Sequence, residues 1–332
     1  MADDAPLIST APTPPSPPPP FTVRTVFMGK DGLRAGWGLL IYLLIVIAIG
    51  LCVTAIMHKV HPAWGESPHA GAEIPPSFIL PSELIPFLVV LLGTWIMSKI
   101  ERRPNSTYGL GGTHRLPQFF AGLAWGVLFL SLLVLMLWKS GLLVIERRLL
   151  FGGDILRYGA VWLFGFLLVG FFEEYLTRGY LQYTLGRGLA GLYDWIFHTR
   201  NSKTLGFWTA AVLISILFGL GHSKNPGESP IGLLSAGLAG AVFCFSLWRT
   251  GSLWWAIGFH ASWDWAQSFL YGVADSGMMA QHHLLATHPV GKPILSGGAT
   301  GPEGSIFIVV VLAVACVVIV LTLPRERTAV GN

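Results

Sequence analysis

Long apolar stretches separated by short polar ones recur along the whole 332-residue chain. Eight windows, about 36–57, 80–98, 118–138, 157–184, 204–222, 230–248, 252–272 and 304–323, come close to the roughly 20 apolar residues that a helix needs to cross a bilayer. Few ionisable residues interrupt them. A soluble protein with eight such stretches would have no polar face left for water. The pattern therefore predicts an all-α fold, a polytopic bundle of about eight transmembrane helices.

Composition agrees with the pattern. Hydrophobic residues make up 53% and charged residues 11% of the chain, where ordinary soluble domains carry roughly 25% charged residues. The first twenty residues, MADDAPLIST APTPPSPPPP, are acidic and then proline-rich. They lack the basic start and short apolar core of a cleavable signal, and they cannot form a packed core. Residues 1–25 are expected to be a disordered tail and 26–35 a segment lying along the membrane surface. The integral domain is expected over 36–324, with a short tail over 325–332.

Lys and Arg set the expected orientation. With a cytoplasmic N-terminus, the inner segments hold Arg24, Lys30, Arg34, Lys99, Arg102, Arg103, Arg115, Arg187, Arg200, Lys203, Arg249, Arg325 and Arg327. The outer ones hold only Lys59, Lys139, Arg147, Arg148, Arg157, Lys224 and Lys292. Both termini are expected on the cytoplasmic side of a cytoplasmic-type membrane, with the Arg147–Arg148 pair as the main dissent. The net charge of +4 reports this topology and implies no nucleic-acid partner. Cys52, Cys244 and Cys316 all fall in apolar windows without metal or redox spacing, and read as small buried hydrophobes.

Chemically capable side chains break the apolar windows in three places. The first is FFEEYLTRGY, where Glu174 and Arg178 stand four apart and share a helix face, while Glu173 points about 100° away. One carboxylate can thus be locked by the arginine while the other stays free. A purely structural ion pair accounts for Glu174 and Arg178 but leaves Glu173 without a role. The second place is FGLGHSKNP, with Phe218 and His222 one turn apart. The third is FHASWDW, with His260 and Asp264 on one face; a carboxylate one turn from an imidazole can orient it or share a metal with it. A charged group facing lipid costs roughly 3 kcal/mol or more, so these groups are best tolerated around one wet internal cavity. Carboxylates and imidazoles meeting in such a cavity have what hydrolysis needs: a base for water and donors or a metal for the oxyanion.

The ordered trio EExxxR, FxxxH and HxxxD resembles the CAAX-prenyl-protease and bacteriocin-processing (CPBP, Abi) family of intramembrane endopeptidases. Here it runs Glu173-Glu174-Tyr175-Leu176-Thr177-Arg178, Phe218-Gly219-Leu220-Gly221-His222 and His260-Ala261-Ser262-Trp263-Asp264, within about residues 155–270. The last position is an aspartate where better-studied members carry asparagine. The resemblance implies Glu173 as the general base, Glu174 tied to Arg178, and His222, His260 and Asp264 completing the site, with Phe218 as a supporting residue. It leaves open whether Glu173, His222, His260 and Asp264 hold a divalent metal such as zinc or act directly; the HExxH motif of soluble zinc proteases is absent. A peptide or membrane-associated protein is the implied substrate. Two other classes use similar residues: an ion- or proton-coupled transporter, which would show internal symmetry that is not visible here, and a non-catalytic scaffold.

Straight spans would leave Glu173 and His222 at different depths. Convergence requires a long, tilted fourth helix or a fifth one broken near Gly219, Gly221 and Pro226. Glu83, between Pro81 and Pro86, reads as a residue at a span entrance. The loop with His282, His283 and His288 reads as solvated, and the cluster Lys99 to Arg103, KIERR, as a cytoplasmic anchor.

Overall fold

The computed structural model describes residues 22–60 and 73–325. The proline-rich tail up to residue 21 and the last seven positions lie outside them. A short helix α1 (Val23–Phe27) and a two-residue ribbon, β1 (Met28–Gly29) with β2 (Gly32–Leu33), lead into α2 (Ala35–Val60). Then come β3 (Glu73–Ile74), α3 (Pro76–Ile100), α4 (Arg115–Lys139) and β4 (Leu143–Arg148). Helix α5 (Gly153–Glu174) continues through a π-helical turn, Tyr175–Leu181, into α6 (Gln182–Phe197). Helices α7 (Ser202–Gly221), α8 (Pro230–Thr250) and α9 (Trp254–Trp265) come next, the last extended by a second π turn, Ala266–Leu270. Strands β5 (Met279–Ala280) and β6 (Leu285–Pro289), α10 (Pro293–Ser296) and α11 (Ile308–Thr322) complete the order.

The protein is thus mostly helical, as the apolar windows require. Among the described residues six helices are long and apolar enough to cross a membrane, counting 153–197 as one of 45 residues. The seventh and eighth expected windows also form helices, but shorter ones: α9 has 12 residues before its π turn and α11 has 15. The fourth and fifth helices both differ from straight spans of window length. The fourth helix is far longer than its window, and α7 stops at Gly221, giving way to a 3-10 turn over His222–Lys224.

Glycines decide how closely the motif-bearing helices approach. A Cβ on Gly122, Gly126 or Gly258 would collide with backbone of the facing helix, so α4 and α9 pack main chain against main chain. One turn before the paired glutamates, a Cβ on Gly170 would meet Ala261 N at 2.9 Å and Ile257 O at 3.0 Å. Helix α9 is therefore gripped between α4 and α5, and its His260 face is pressed toward Glu174. Gly219 plays the same part between α7 and α8, against Leu233. Replacing Gly126 by Leu is expected to cost at least the roughly 1–3 kcal/mol of an overpacked core. Gly50, where a Cβ meets open space, should accept Leu without loss, and thermal melts in detergent compare the two.

The connections α2–α3, α4–α5 and α9–α11 are tied together by strands. β3 pairs in parallel with β5, and β4 antiparallel with β6. The histidine-rich segment is thereby part strand rather than all loop, and its His282 and His288 stay exposed. His288 lies on β6 and donates from Nδ1 to Glu146 at 2.9 Å, His283 donates to Ala280 O at 2.6 Å, and the His282 ring stacks on Tyr158 at 4.2 Å. In the KIERR cluster Lys99 and Arg102 stay exposed, Arg102 takes a left-handed conformation at the end of α3, and the Glu101 side chain turns inward, only 1% exposed.

Candidate active site

Helix α5 delivers two adjacent carboxylates to different surroundings. Glu174 is buried, and its Oε1 accepts from Arg178 Nη1 at 2.8 Å across one helical turn. The Arg178 guanidinium lies over the Phe218 ring at 4.1 Å and near Phe243 at 5.6 Å. A Cβ on Gly240 would run into it, so α8 needs glycine there to make room for the cation. Arg178 is held by a carboxylate, two aromatic faces and a bond from Nη1 to Thr177 Oγ1 of 3.0 Å. The expected lock on Glu174 is present, and Phe218 proves to be its floor.

The same Glu174 oxygen accepts a second hydrogen bond that spacing along the chain did not foresee. His260 Nδ1 donates to it at 3.0 Å, joining α9 to α5. A buried carboxylate on one ring nitrogen fixes the orientation of the imidazole and directs the other nitrogen. His260 Nε2 accordingly faces Asp264 Oδ2 at 3.5 Å and Glu173 Oε2 at 3.8 Å. Phe243 stacks on the imidazole, ring centroids 5.5 Å apart.

Glu173 is the freer of the pair. Its side chain is 24% exposed, and Oε2 has no hydrogen-bond partner. It opens on a cavity of about 290 Å³ that Phe218, His222, His260 and Asp264 also line. His222 stands where α7 gives way to the 3-10 turn. Its Nδ1 donates to Phe218 O at 2.8 Å, and its ring meets Phe218 edge-on at 4.9 Å. Every residue singled out from the three motifs thus lines the chamber or braces one that does.

Four further carboxylates line the chamber and carried no signal of doing so. Glu83, taken for an entrance residue, faces the cavity and accepts from Ser82 Oγ at 3.1 Å. Glu228, Asp275 and Glu303 come from connections, where no helical spacing relates them to the motifs. Asp275 Oδ2 accepts from Ser268 Oγ at 3.1 Å, and Glu303 Oε1 from Ser276 N at 2.7 Å.

Burial, with Asp275 nearby, pushes the Glu303 carboxyl up to about 8. A carboxyl raised on folding adds stability that is complete below its unfolded pKa, near 4.5, and is lost as pH rises through the folded value. The wild-type melting temperature should therefore fall between about pH 4.5 and 8. Glu303→Gln should flatten that slope, as melts across the pH range will show.

Among the described residues no group of three or more His, Cys, Asp or Glu side chains is arranged to hold a metal ion. His260 already gives one nitrogen to Glu174, and its other is shared between Asp264 Oδ2 at 3.5 Å and Glu173 Oε2 at 3.8 Å. The arrangement does not fit the four-ligand zinc set that the motif residues allowed.

Among the described residues, six apolar helices long enough to cross a membrane, packed around a chamber lined by acids and imidazoles, describe an integral membrane protein. Residues 156–266 match the family described as Type II CAAX prenyl endopeptidase Rce1-like. The resemblance read from the three motifs is thereby shown, over about the same third of the chain, and it implies an intramembrane CAAX-type endopeptidase. No curated protein and no solved structure matches the chain.

Proposed function

We propose that the protein is an integral-membrane endopeptidase that hydrolyses a peptide bond of a peptide or membrane-associated protein entering the chamber, through its own side chains. The observation that carries this reading is His260, fixed at Nδ1 by buried Glu174 while Nε2 lies 3.8 Å from Glu173 Oε2, an oxygen without a hydrogen-bond partner, where both residues line the chamber. Glu173 takes a proton from water, and the hydroxide adds to the scissile carbonyl. A proton on His260 Nε2 supplies a donor to the oxyanion, with His222 as second donor from the opposite wall. On collapse the C–N bond breaks, and Glu173 returns its proton to the leaving amine. Asp264 holds Nε2 on line while that donor is idle.

The test is a panel of variants reconstituted in liposomes with a quenched peptide carrying a prenylated C-terminal CAAX sequence, alongside an unprenylated copy. Glu174→Gln and His260→Gln should each lower turnover at least about a hundredfold, and cleavage should survive chelator treatment. Equal cleavage by wild type and His260→Gln would overturn the assignment.

A further inference from the structure

We infer that Glu101, at the far end of α3 from the chamber, is a positioning residue that holds the π turn at 175–181 in register and through it sets Arg178 and the Glu174–His260 pair; this rests on the proposed hydrolysis. The carboxylate is buried beyond the reach of substrate. Its Oε1 accepts from Tyr180 Oη at 2.8 Å and its Oε2 from Tyr108 Oη at 3.2 Å, with Arg103 Nε 3.6 Å away. The surroundings are built for it. A Cβ on Gly38 would meet Glu101 Oε1 at 2.9 Å, so glycine there leaves room for the carboxylate, and Tyr42 stacks on Tyr180 at 4.0 Å.

Tyr180 sits on the π turn, two residues after Arg178. A π turn carries one residue more than the α-helix around it, is rarely stable alone, and concentrates at functional sites. Losing that residue's bulge would rotate the continuing helix by about 100° relative to Glu174. The turn is held from opposite faces: Arg178 is fixed toward the chamber by Glu174, Phe218 and Phe243, and Tyr180 is fixed away from it by Glu101. Both anchors are satisfied together only in the π register. Glu101 thus acts on the site from outside it, through one phenol and one turn of backbone.

Glu101→Gln keeps the size and one acceptor, and Tyr180→Phe removes the same bond from the other end. In full-length protein in liposomes, both should lower kcat about tenfold or more with KM within twofold. Both should also speed amide hydrogen exchange over residues 174–181. The decisive readout is a double-mutant cycle: on an Arg178→Lys background, Glu101→Gln should lower kcat less than a further twofold, because the register it guards is already lost. Undiminished kcat with only a lower melting temperature, or fully additive losses in the cycle, would overturn the inference. If wild-type protein cleaves nothing, the hydrolytic reading fails, and exchange alone decides the anchor: unchanged protection over 174–181 in Glu101→Gln overturns it.

Discussion

Glu173→Ala should abolish cleavage while leaving the protein folded. Removing a general base costs roughly a hundred- to ten-thousandfold in rate, and no other carboxylate faces His260 Nε2 from the same helix position. The fold should hold because the Glu173 side chain is among the more exposed of the site and its Oε2 makes no hydrogen bond that the helices depend on. Comparing membrane-fraction peptides from cells carrying wild type and the variant would identify products that disappear, and melts of the purified variant would certify the fold. Undiminished turnover by Glu173→Ala would remove the mechanism entirely.

Arg178→Ala should be far more damaging to the fold. It leaves the buried Glu174 carboxylate without its cation, and stripping one member from a buried ion pair typically costs about 3–5 kcal/mol. It also empties the space between the Phe218 and Phe243 rings that the guanidinium fills. A large fall in melting temperature and in yield of folded protein is expected. Glu174→Gln should be milder, since the amide keeps an acceptor for both Arg178 and His260 while removing the charge. Equal melting temperatures for Arg178→Ala and wild type would show that the pair carries little of the fold.

The contrast between these variants tracks what the chain discloses before folding. Apolar windows announced the helices, because burial in lipid demands continuous hydrophobicity that few other structures require. The Glu174–Arg178 and His260–Asp264 pairs were legible because one helical turn brings them together whatever the tertiary structure. The Glu174–His260 bond was not, since it joins side chains 86 positions apart whose meeting depends on Gly170 allowing α5 and α9 to touch. Glu228, Asp275 and Glu303 escaped notice for the same reason: no local period relates a connection to the wall it finally forms. The inward turn of Glu101 was not legible, because nothing local in KIERR relates the acid to Tyr180 and Tyr108, which it meets only through the tertiary fold. The short helices α9 and α11 fell below their windows because part of each apolar run is spent in a π turn or in connecting chain.

One wall of the chamber is made of Ile74, Met279 and Ala280, on the paired strands β3 and β5. Its outline is kept by main-chain bonds such as Gln281 N to Ile74 O, at 2.9 Å. Ala280 is buried in the core with Ile74 packed against it, so that wall is held by side chains on one side and main-chain pairing on the other. A proline that interrupts either strand is the substitution least forgiven there.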